Sequence, residues 1–74
     1  MIEKIRTVFC EIIQMSEDQL TFETRLKEDL MLDSLTVLEL VMDLENVFDI
    51  KIEDQDLKKL VTFGDVAEMI KSKL

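Results

Sequence analysis

The residues with chemical potential in this chain are few, and most of them sit in one stretch, Asp29 to Ile50, reading DLMLDSLTVLELVMDLENVFDI. Ser34 stands there between Asp33 and Leu35, where an apolar helical pattern begins. As a nucleophile a serine needs a base. The chain has no His and no G-x-S-x-G elbow, and the nearest Lys in the preceding sequence is Lys27, so serine hydrolase chemistry is excluded. Cys10, the one cysteine, likewise has no His to activate it and reads as a small, half-buried apolar residue. No catalytic residue is therefore expected. What a helix N-terminus does well is hold an anion, because its unpaired N–H groups and the positive end of the helix dipole favour phosphate. Asp33 and Asp29 oppose added negative charge, which favours a phosphodiester fixed covalently to Ser34 over a free phosphate. The alternative is an unmodified serine at an ordinary helix start.

Metal chemistry fares no better. An EF-hand loop beginning at Asp43 would place Val47 at its third ligand and Phe48 at its glycine; one beginning at Asp54 would place Lys58 and Lys59 there. Neither frame supplies the oxygen ligands and the turn that calcium requires, and no metal site is expected.

Helices must position Ser34, and the apolar spacing supplies them. Ile2, Ile5, Val8, Phe9, Ile12 and Ile13 predict an amphipathic helix over residues 2–14. From Met15 to Leu32 the period weakens, while Ser16, Asp18, Thr21 and Thr24 favour turns. A long loop with a short helical turn is expected, pinned to the core by Leu20, Phe22, Leu26 and Leu30. Asp33 is placed as an N-cap and Ser34 as the first helical residue, with the helix running to about Phe48. Leu57, Leu60 and Val61 predict a third helix of one to two turns. Thr62 to Asp65, TFGD, has capping-box spacing and precedes Val66, Ala67, Ile70 and Leu74 at helical intervals. The fold class is all-α: a small four-helix bundle, three helices longer and the third short, with a long loop between the first and second.

At about 100° per residue, Val37, Leu40, Val41, Leu44, Val47 and Phe48 fall within an arc of about 120°, the expected core face of the second helix. Leu35, Leu38 and Met42 lie opposite, among Glu39, Asp43, Glu45 and Asn46. Isolated surface apolars need no explanation, but this cluster adjoins Ser34 and is ringed by carboxylates, as in a docking surface with an apolar centre and a charged rim. From Asp33 to Asp56 eight acids face a single base, Lys51, so this segment holds −7 of the chain's net charge of −8. Such a face steers basic protein partners.

Composition narrows the rest. Seventy-four residues, with 17 Asp plus Glu against 9 Lys plus Arg, suit one small domain with a thin core and little room for an enclosed active site. The charge repels nucleic acid and anionic membranes, and no apolar run approaches the ~20 residues that span a bilayer, so neither nucleic-acid binding nor stable membrane insertion is expected. A lone cysteine and the absence of a leader pattern favour a cytoplasmic setting.

Taken together, EDLMLDSL at the start of the second helix, ELVMDLENVFDI through its end, IEDQDL, and TFGDVAEMI in the last helix resemble the acyl carrier protein family, the phosphopantetheine-carrying four-helix bundles of fatty acid and polyketide synthesis. The resemblance covers nearly the whole chain and implies one acyl-carrier domain over residues 1–74. It implies that Ser34, flanked by Asp33 and Leu35, carries 4'-phosphopantetheine delivered from coenzyme A by a separate transferase. It further implies an acyl carrier of fatty acid synthesis that is not itself an enzyme and docks on basic patches of synthase enzymes through Leu35, Glu39, Val41, Met42 and Glu45. The outer helix face adds Leu38 and Asp43, and because docking to many partners requires that helix to stay free, a monomer is expected. Leu26, Leu44, Ile52, Leu57, Leu60 and Val66 would line its acyl cleft. The other readings are a discrete carrier of a specialised polyketide, aminoacyl or lipid-modifying pathway, and, in a different class, an unmodified acidic helical adaptor. The chain departs from the family in having Met31 where Gly is usual, Thr36 where an acid follows S-L, Glu53 in place of Pro, and Asn46, Val47 and Lys51 in place of acids. Met31 lacks the easy access to positive φ that Gly has, which predicts a different loop path or packing of Met31 on the arm.

Overall fold

A computed structural model describes residues 2–74. Its order is α1 (Ile2–Ile13), a single 3₁₀ turn (Glu17–Gln19), α2 (Ser34–Phe48), α3 (Asp54–Leu57) and α4 (Phe63–Lys73). The four-helix reading holds, and no strand forms among the described residues. Ile5, Phe9 and Cys10 from α1, Leu40, Val41 and Leu44 from α2, and Phe63, Val66, Ala67 and Ile70 from α4 close one core with Leu20, Leu26 and Leu60.

The loop between α1 and α2 is ordered by what it touches. Leu26 N–H donates to the Val61 carbonyl at 2.9 Å, and Thr24 O accepts from Phe63 N–H at 2.9 Å, lacing the loop antiparallel onto the start of α4. Arg6 donates to the Leu20 carbonyl, and its guanidinium lies 5.8 Å from the Phe22 ring centroid and 5.5 Å from that of Phe63. Phe63 also meets Phe9 edge-on at 5.0 Å and Phe22 face-on at 5.9 Å. Gly64 is required at this crossing, since a Cβ there would stand 2.9 Å from the Phe22 carbonyl oxygen.

Expectation and structure part in several places. Val47, assigned to the core face, is 48% exposed; it lies at the edge of that arc, in the last turn of α2. Phe22 is part-exposed as it stacks on Phe63. The third helix begins at Asp54, earlier than Leu57, Leu60 and Val61 suggested, and ends at Leu57. Its start is fixed by Asp56, whose carboxylate accepts from Glu53 N–H at 3.0 Å while its own N–H donates to the Glu53 carbonyl at 2.9 Å, a signal written in polar rather than apolar residues. The Asp56 carboxylate also meets Lys73 at 3.0 Å, tying α3 to α4. The Thr62/Asp65 capping box forms as the sequence predicts.

Met31 itself adopts φ 59°. The loop keeps the left-handed turn that Gly would enter without strain, and the methionine side chain is 82% exposed. Gln14 and Asp49 also take positive φ, at 56° and 53°, where α1 and α2 end.

Candidate functional site

Asp33 caps α2 as expected: its side chain accepts from Thr36 N–H at 2.7 Å. That bond holds its carboxyl below the usual carboxylate range, since it favours the charged form. The cap fixes Ser34 as the first residue of α2, exposed to solvent.

The acids around Ser34 are already engaged. Asp29 accepts from Arg25 N–H at 2.8 Å and from the Arg25 guanidinium at 3.4 Å, and its carboxyl is likewise held low by those bonds. Arg25 in turn pairs with Glu28 as well as Asp29, which raises its own pKa, the bond to Asp29 contributing most. Lys27, seven residues before Ser34 in sequence, is brought beside it by the fold: its Nζ lies 3.5 Å from Ser34 Oγ. A solvent-exposed ammonium has three donors and no lone pair to take the serine proton, so this contact does not make a serine nucleophile. It places a cation beside the serine oxygen.

Ser34 and Lys27 share a cavity of about 490 Å³ that opens between α2, α3 and the approach to α4; its apolar lining is Val37, Leu38, Leu57, Leu60 and Val61. Arg25, Glu28 and Lys58 complete the rim. Of the six residues expected in a cleft, Leu57 and Leu60 line this space. Leu26, Leu44 and Val66 are instead almost wholly buried in the core, and Ile52 packs against the core away from the cavity. Leu38, expected on the docking face, stands at the cavity mouth. Val37 and Leu38, three and four residues after Ser34, are the cavity residues that helical spacing could have given; Val61 and Lys58 come from segments whose position only the folded chain determines.

The outer face of α2 presents Leu35, 66% exposed, and Met42, 54% exposed, with Leu38, Glu39 and Asp43 also exposed beside them. Two residues assigned to this face belong elsewhere. Val41 is 3% exposed and packs in the core, as its position on the opposite side of the helix requires. Glu45 is half-buried, and its Oε2 accepts from Ile52 N–H at 2.8 Å, so its carboxylate serves the α2–α3 connection. Cys10 is buried, and burial, reinforced by Glu17, pushes its thiol pKa up despite the opposing effect of Arg6. Such a thiol is inert.

The short helical bundle thus presents a capped, exposed serine at the mouth of an apolar cavity. Residues 3–70 match the family described as "Phosphopantetheine attachment site", whose members hold 4'-phosphopantetheine covalently. The chain is 41% identical over 71 residues to the acyl carrier protein of Thermotoga maritima, covering 96% of this chain and 88% of that one. It is 46% identical over 70 residues to the acyl carrier protein of an Exiguobacterium species, covering 95% and 89%. Among solved structures, the acyl carrier protein of Enterococcus faecalis superposes with a TM-score of 0.82 at 33% identity, covering 97% and 96% of the two chains. The holo acyl carrier protein of Geobacter metallireducens gives 0.82 at 28%, covering 96% and 82%. The chain belongs to the acyl carrier protein family.

Proposed function

We propose that residues 1–74 form a single carrier domain of a dissociated fatty acid synthase, in which Ser34 bears the 4'-phosphopantetheine arm. The observation that carries this reading is the position of Ser34: exposed, first in α2, and on the wall of the cavity beside it. An arm anchored there reaches outward to a partner's active site or inward to the apolar lining. A thioester on its terminal thiol is then either presented or sheltered, and Asp33 and Leu35 flank the attachment point.

Leu35, Leu38, Glu39, Met42 and Asp43 form the docking face. Carboxylates around exposed apolar side chains complement basic patches of a phosphopantetheinyl transferase and of the synthase enzymes, accelerating encounter while the apolar centre provides contact area. A carrier that serves many enzymes in turn must keep this face uncovered, which favours a monomer. A net charge of −8 disfavours nucleic acid and anionic bilayers as partners, and no helix among the described residues is long and apolar enough to cross a membrane. The assigned setting is the cytoplasm, with the synthase enzymes.

Reconstitution tests the pathway. The phosphopantetheinylated protein, supplied to purified fatty acid elongation enzymes, should pass through rounds of condensation and reduction, read by the mass of the acyl protein. Refusal by those enzymes, with efficient loading by an acyl ligase or adenylating enzyme, would assign it to a specialised pathway instead.

A further inference from the structure

Building on the reading of Ser34 as the attachment residue, we propose that Lys27 is the positioning residue for the arm, its ammonium pairing with the phosphodiester on Ser34 and turning the arm toward the cavity. A phosphodiester on Ser34 Oγ places an anion within reach of a group that already stands 3.5 Å from that oxygen. The surrounding charges leave this role to Lys27. Arg25 is committed to Glu28 and Asp29, while Asp33 and Asp29 are engaged by Thr36 and Arg25 respectively. Among the described residues Lys27 makes no ion pair, and its one polar contact there is Ser34. In a chain whose charge is strongly negative, an added phosphodiester gains most from the adjacent cation.

The contact also has a direction. Lys27 and Ser34 lie on the rim of the same cavity, with Lys58 on that rim, Leu38 at its mouth and Val37, Leu57, Leu60 and Val61 inside. An anion held between Lys27 and the start of α2 sends the chain that follows it across this mouth. Screening by salt weakens a pair at an exposed ammonium, so the arm should swing outward as ionic strength rises. An approaching enzyme with a basic patch would compete with Lys27 for the phosphodiester and release the arm at docking.

Lysine side-chain NMR on the unmodified and phosphopantetheinylated wild-type protein tests this without any variant, intact mass confirming the modification. The Lys27 Cε and Nζ resonances should shift on modification and move back toward their original positions in 0.5 M NaCl, while those of Lys4, Lys51 and Lys71 stay fixed. An unshifted Lys27 in a protein of confirmed added mass would overturn the proposal and leave the carrier reading intact; no mass gain would overturn both. A second readout is the alkylation rate of the arm thiol by iodoacetamide, with the unmodified protein as the blank for Cys10. Lys27→Met, which keeps the stem but removes the charge, should react two- to threefold faster than wild type at low salt and lose the salt response, and Lys27→Arg should restore both. Equal rates and equal salt responses in wild type and Lys27→Met would contradict the positioning role.

Discussion

The Glu45 carboxylate accepts a hydrogen bond from Ile52 N–H at 2.8 Å, closing the turn between α2 and α3 across seven residues. This half-buried bond satisfies a backbone donor in a segment with no ladder of its own. Glu45→Ala should therefore cost about 1–2 kcal/mol, the effect of leaving a partly buried N–H without its partner. Glu39→Ala, which removes an exposed carboxylate from the same helix, should change stability by less than about 0.5 kcal/mol. Urea unfolding of the two variants compares them directly, and equal losses would mean that Glu45 is only another surface acid.

At Met31 the backbone φ of 59° carries a strain that a residue without Cβ avoids. The exposed side chain contributes little packing in return. Met31→Gly should stabilise the fold by about 1 kcal/mol after the entropy that Gly adds to the unfolded chain, raising Tm by roughly 4–8 °C. An unchanged or lower Tm would show that Met31 makes a contribution that its exposure conceals.

How far the sequence disclosed this site depends on where the information lies. Apolar period and polar caps are local, so α1, the Asp33 cap, the first position of Ser34 and the Thr62/Asp65 box were all legible. Val41 and Val47 show where local period fails. Both lie within one helical arc, yet one is buried and the other exposed, because burial depends on which neighbouring element reaches that turn. The cavity was the least legible feature. Lys27, Lys58 and Val61 share a cavity with Ser34 because the long loop is laced onto the start of α4 through Leu26 and Phe63, pairings separated by dozens of positions and without a periodic signature. Glu45 was misread for a related reason: a carboxylate in an acidic run looks like a solvated charge until the chain turns back onto it.

The two sides of α2 should separate docking from folding. Met42→Glu adds a charge on the exposed face and should leave the circular dichroism spectrum and Tm nearly unchanged, while lowering turnover by partner enzymes through a raised KM. Leu44→Glu places a carboxylate in the closed core and should cost more than about 4 kcal/mol, on the scale of the whole stability of a fold this small. Comparable unfolding by both would reverse the assigned faces.

Acid should act through the carboxylates that accept backbone N–H bonds. Asp33, Asp29 and Asp56 all titrate below their usual range in the folded chain, the largest cause in each case being a backbone N–H donor, from Thr36, Arg25 and Glu53 respectively. A carboxylate with a depressed folded pKa contributes stability that is fully present above its unfolded value, about pH 3.9, and is lost as pH falls through the folded value. Denaturant midpoints should therefore decline below about pH 4. Asp33→Asn keeps a good N-cap but removes one titrating group, so its decline should be shallower than that of wild type. Parallel curves would remove Asp33 from the acid response.

The central claim is that Ser34 bears the arm, and intact mass tests it most directly. Wild type and Ser34→Ala are each incubated with a broad-specificity phosphopantetheinyl transferase, coenzyme A and Mg²⁺. Wild type should gain the mass of one phosphopantetheine and Ser34→Ala none. A folded wild-type protein that gains nothing, or a Ser34→Ala variant that gains as much, would contradict the account.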